Sequence, residues 1–155
     1  MDFTFLQADA VPIWETLLRV LLAVAFGFML GYDRKKKHKT IGVQSYPIIA
    51  LTTCLIAIMS QELYQNYARI DEVVTIDFAK IISGVLTGIG FLGAGAIIKR
   101  DGEEEVVGSA TGASIWAAGG LGLILGYGFY ALSIIGFLGL IAILTLANRF
   151  YRKVK

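Results

Sequence analysis

GVLTGIGFLGAGAIIKRDGEEEVVGSATGASIW, residues 84–116, joins two apolar segments through a short charged turn, and its reading decides the fold. The first half sets Gly84, Gly88, Gly90, Gly93 and Gly95 among Val85, Leu86, Ile89, Phe91 and Leu92, with no charge from Ile81 to Ile98. In water each glycine inside a helix costs about 1 kcal/mol relative to alanine, so a soluble helix is a poor reading. In lipid the helix is compulsory, because unpaired backbone groups find no water, and small side chains let a neighbouring backbone approach. Residues 78–98 are therefore expected to form a buried, glycine-faced membrane span.

Working outward, the composition agrees. The chain has 155 residues, 56% of them hydrophobic and 17% charged, and a mean hydropathy of +0.69, far more apolar than an average soluble domain. A single transmembrane domain is expected over 1–155, an all-α polytopic bundle of about five spans near 13–32, 42–63, 78–98, 107–125 and 128–148. Each run is long enough to cross about 30 Å of hydrocarbon. The segment before the first run carries Asp2 and Asp9 but no Lys or Arg, and the first run is expected to be a permanent span rather than a leader.

Eleven of the fourteen Lys and Arg residues fall at 34–39, at 99–100 and at 149–155, which the positive-inside rule assigns to the cytoplasm. The amino terminus is then expected outside and the carboxy terminus inside. The exceptions are Arg19, Arg69 and Lys80. A net charge of +2 is too small to point to nucleic acid. Cys54 alone can form no internal disulfide and has no zinc spacing, and His38 has no second His or Cys nearby, so neither suggests a metal site.

Arg19 lies about 9 Å inside Ile13 and follows Glu15 by one helical turn. It either snorkels to the headgroups or faces the bundle interior and holds an acidic partner. Asp33 and Arg34 either anchor the first span or form an inner polar cluster with Gln44, Ser45 and Lys99. The fourth span, with Ser109, Thr111 and Ser114, is expected in the middle of the bundle. Its Gly108, Gly112, Trp116 and Gly120, spaced by four, suggest tight packing against the glycines of the third.

DFAKIISGVLTGIGFLGAGAIIKR followed by GSATGASIW resembles the MgtC/SapB family of bacterial inner-membrane proteins, as do Arg19, Gly31, Asp33, Arg34, Lys39 and Gly42. The resemblance covers most of the chain. It departs at polar positions: Gln44 and Ser45 stand where the family has Arg-Thr, and Lys80 where it has arginine after the acid Asp77. Lysine and glutamine cannot supply a bidentate arginine's geometry, so roles needing one do not transfer. The resemblance implies a short, membrane-only form lacking the soluble carboxy-terminal domain of the best-known members. It further implies a link to magnesium limitation and stress survival, through transport or by modulating other membrane machinery such as the rotary ATP synthase.

Three function classes follow. In the first, the glycine faces bind within a homo-oligomer or against another membrane protein, with Gly88, Gly90, Gly93, Gly95, Gly108, Gly112 and Trp116 as contact residues. That reading predicts that Gly93→Leu destroys complex formation while leaving insertion intact. In the second, Arg19, Lys80 and Thr111 line a polar path for magnesium or an anion; Asp33, Arg34 and Asp77 are further candidate functional polar residues. No acid lies in the central part of a span, which gives magnesium few hard ligands. An enzyme ranks last, since no nucleophile with a base, metal cluster or phosphate loop is visible, and no cofactor is expected. GIGFLGAG is not read as a nucleotide loop, because no soluble strand precedes it.

Overall fold

The computed structural model describes residues 10–36, 42–68, 75–99 and 106–154, with side chains described at 10–33, 42–68, 75–98 and 107–147. Five helices, each long and apolar enough to cross a membrane, form the bundle: α1 Ile13–Lys36, α2 Ser45–Ala68, α3 Phe78–Gly95, α4 Ser109–Gly126 and α5 Tyr130–Val154. A two-stranded antiparallel ladder, β1 Ile98–Lys99 against β2 Val106–Val107, links α3 to α4, pairing Ile98 with Val107 and Lys99 with Val106. Residues 37–41, including His38, and 100–105, with the acidic turn, lie outside the described residues, as does Arg69.

The helix ends differ from the expected spans. The third stops at Gly95 rather than 98, because Ala96 and Ile97 turn back onto the carbonyls of Gly93 and Ala94 and lead into the ladder. The fourth starts two residues later than expected, at Ser109. Helices α1, α2 and α5 run past their apolar stretches to Lys36, Ala68 and Val154, since good helix formers continue the backbone pattern beyond the hydrocarbon boundary.

Helix α4 is the centre. Buried residues make up 61% of its span, against 11% for α3 and 17% for α5. It packs on α1, α2, α3 and α5, while α3 rests on α4 and touches α2 only marginally. Small residues permit this position. A Cβ on Gly126 would lie 2.5 Å from the Cys54 carbonyl oxygen, and one on Gly122 would collide with Ala50 and Thr53, so α2 and α4 are in backbone contact. Helices α1 and α2 meet in the same way at Gly27, where a Cβ would lie 2.9 Å from the Tyr46 carbonyl oxygen, and Gly31 packs on the backbone of Val43 just before α2.

Side chains fill the spaces left between. One cluster joins Leu30, Tyr46, Ile89, Ile115, Leu121 and Phe137; another joins Val11, Ala23, Ala50, Cys54, Ile58 and Leu125. Phe26 stacks on Phe137 at 4.3 Å, and Arg19 meets Tyr130 at the same residue offset, so α1 and α5 run parallel. Gly128, at φ +82°, closes α4: its N–H bonds the Leu125 carbonyl and the Phe129 N–H bonds that of Ile124, the two bonds of a Schellman turn.

Candidate functional site

Two places concentrate the residues singled out by the sequence. One is closed and the other is open.

The closed one is a polar knot around Arg19, where α1, the end of α2 and the α4–α5 turn converge. Arg19 is 6% exposed. It faces inward, which overturns the snorkelling alternative. Its Nη1 donates to the Gly126 carbonyl at 2.6 Å, its Nη2 to Glu15 Oε1 at 2.7 Å, and its Nε to the Tyr130 hydroxyl at 3.2 Å. Tyr130 Oη donates to the same Glu15 oxygen at 2.9 Å, and Gln61 Nε2 donates to Gly126 O at 2.7 Å. A buried guanidinium requires a counter-charge and acceptors, and the acidic partner here comes from its own helix.

Around this knot the bundle end is tied further. The Glu62 carboxylate accepts the backbone N–H groups of Val11, at 2.9 Å, and Ala10, tying the segment that leads into α1 to the end of α2. Ser60 Oγ and Tyr127 Oη lie 3.1 Å apart, and Phe78 packs edge-on against Tyr127. All five helices are thereby joined at this end. Gln61, Glu62 and Tyr130 were not singled out by the sequence reading.

The proposed conduit residues do not share a cavity. Thr111, 3% exposed, sits at the opposite end of α4 from Gly126, to which Arg19 is bound; fifteen residues of helix separate them, about 22 Å. Lys80 is exposed on α3. The space enclosed by Ala23, Phe26, Gly27, Ala50 and Gly122 has no room for water. Among the described residues no group of three or more His, Cys, Asp or Glu is placed to hold a metal. Asp33 is half-buried at the end of α1, Gln44 is exposed, and the side chains of Arg34 and Lys99 lie outside the described residues.

The open place is the outward face of α3. The glycines divide into two sets. Gly93 and Gly112 bring α3 and α4 into backbone contact: a Cβ on Gly93 would lie 2.9 Å from the Gly112 carbonyl oxygen, and one on Gly112 would lie 2.5 Å from that of Gly93. Gly108, at φ +101°, lies so close to the Ala96 carbonyl that no side chain fits. By contrast, a Cβ on Gly84, Gly88, Gly90 or Gly95 would meet nothing within 4 Å. These four therefore take no part in the packing of α3 on α4.

Gly84 and Gly88 share their face with Lys80, Thr87 and Phe91, the last 80% exposed. Beside it runs an open groove of about 610 Å³ lined by Ala79, Ile82, Ser83, Leu86, Thr87 and Trp116. Trp116 is 48% exposed, so its ring lies on the outer surface of the bundle and not in the core. Asp77 caps α3 by accepting the Lys80 N–H at 3.0 Å.

With this geometry in hand, the sequence profile of the MgtC family matches residues 20–153. The chain belongs to the MgtC family. An uncharacterised Haemophilus influenzae protein is 39% identical over 111 residues, covering 72% of this chain and 46% of that relative. SapB of Bacillus subtilis is 31% identical, covering 75% and 49%. YhiD of Escherichia coli K12, provisionally named a magnesium transporter, is 32% identical, covering 79% and 55%. The chain thus spans about half the length of these relatives. No solved structure matches it. Within this MgtC-family chain, Arg19 stands in the knot, while Gly84 and Gly88 stand on the open face.

Proposed function

We propose that this multi-pass membrane protein works by association within the bacterial inner membrane, in a role linked to magnesium homeostasis and stress adaptation. The observation that carries this reading is the open face of α3. A helix that needs glycine only for its own packing would keep glycine where it meets α4, as at Gly93. Gly84, Gly88 and Gly95 leave a shallow, backbone-lined surface pointing away from the chain, the form of surface that lets a second membrane helix approach closely. The name of the relative YhiD supports the magnesium link.

That same name also favours a second reading, in which the chain carries magnesium itself. The engagement of all three arms of the Arg19 guanidinium argues against this, as does the distance between Arg19 and Thr111. Flux into proteoliposomes separates the two readings. The association reading expects magnesium uptake equal to that of protein-free liposomes when the reconstituted protein is folded and inserted. Saturable uptake by the parent chain that is lost in a Lys80→Ala variant would replace it with transport.

A further inference from the structure

We infer that the occupant of the α3 face is a second copy of this chain, paired about a two-fold axis along the bilayer normal. This deepens the association reading and rests on it. Copies inserted in the same orientation and related by such an axis present the same patch to each other, with their α3 helices running parallel.

The patch complements itself in charge. Asp77 and Lys80 are both exposed at the start of α3, and among the described residues Lys80 makes no ion pair. Asp77 uses Oδ1 to cap its own helix, which leaves Oδ2 for a cation. In a parallel pair the two residues are offset by three positions, about 4.5 Å along the axis. Lys80 of each copy then reaches Asp77 of the other, and the contact forms twice. An antiparallel pair would place both charges far from their counterparts.

The patch also complements itself in shape. Phe91 projects from a face on which Gly88 and Gly95, three positions before it and four after, carry no side chain and have free space above them. A ring from one copy fits the hollow at these glycines on the other. Gly84 and Gly88, four apart, form a Gly-x-x-x-Gly pair at the centre of the contact. Ser83 and Thr87 flank it, and the Thr87 hydroxyl is already bonded to the Ser83 carbonyl, so closing the pair does not strand that hydroxyl.

Cysteine crosslinking of the full chain in its own membranes tests the pairing, in a Cys54→Ser background. Thr87→Cys is expected to give a product of twice 16.8 kDa, and Ile135→Cys, exposed on α5, is expected to give none. Adding Gly84→Leu, or Lys80→Glu, is expected to lower that product roughly tenfold, while Lys80→Arg retains it. A Thr87→Cys product with a protein of another mass would overturn the second-copy inference and leave association standing. No product from Thr87→Cys would overturn both, and dimers from Ile135→Cys alone would overturn pairing through α3.

Discussion

Gly93→Leu is expected to break the fold of the chain itself. Its Cβ alone would lie 2.9 Å from the Gly112 carbonyl oxygen, and the remaining leucine carbons have nowhere to go unless α3 and α4 move apart. Helix α3 has little else to hold it, since it rests on α4 and barely meets α2. Overpacking usually costs 1–3 kcal/mol, and a backbone contact between two helices leaves less room for repacking than a side-chain core, so a loss of about 3 kcal/mol is expected. Thermal unfolding in detergent measures it. Gly93→Leu should melt far below the parent, whereas Gly88→Leu, with open space above it, should melt with the parent. The sequence reading expected Gly93→Leu to destroy complex formation while leaving insertion intact; the geometry transfers that expectation to Gly84 and Gly88.

The second large effect is expected at Arg19. Replacing it with methionine keeps the volume but leaves the Glu15 carboxylate facing the Tyr130 hydroxyl alone, while Gly126 O keeps its bond from Gln61. Removing one member of a buried pair costs 3–5 kcal/mol, and because the Glu15 side chain is 23% exposed the expected loss is nearer 2 kcal/mol. A double-mutant cycle checks the cause. Arg19→Met with Glu15→Gln should be more stable than Arg19→Met alone, because no unpaired charge is left. A double variant as unstable as the sum of the singles would assign the loss to packing instead.

Much of this architecture was legible in the sequence, and the reasons can be named. Five spans show because each apolar run is long enough to cross the hydrocarbon, and lipid leaves a helix as the only stable form for such a run. The central place of α4 shows in Ser109, Thr111 and Ser114, which fit protein better than lipid. The sequence could not divide the glycines. Gly88 and Gly93 are alike in composition and context, and which side of α3 meets α4 is decided by three-dimensional packing.

The polar knot was half legible. Arg19 and Glu15 stand one turn apart and announce each other, but Gln61 and Glu62 fall at the end of the expected second span, where polar residues are ordinary, although α2 continues to Ala68. Their partners, Gly126 O and the Ala10 and Val11 amides, are backbone groups and leave no trace in side-chain patterns. A signal for the close helix contacts was present all the same: Gly27 and Gly31, and Gly122 and Gly126, repeat at the spacing of four that was read only in 108–120.

The most direct test of association through α3 is growth under limiting magnesium. The host would lack its own copy of the gene and carry either the parent chain or the Gly84→Leu, Gly88→Leu variant. Neither glycine touches the rest of the chain, so the variant should accumulate in the membrane at the parent's level. The account predicts that it nonetheless fails to support growth. Full growth by the variant at equal abundance would contradict it.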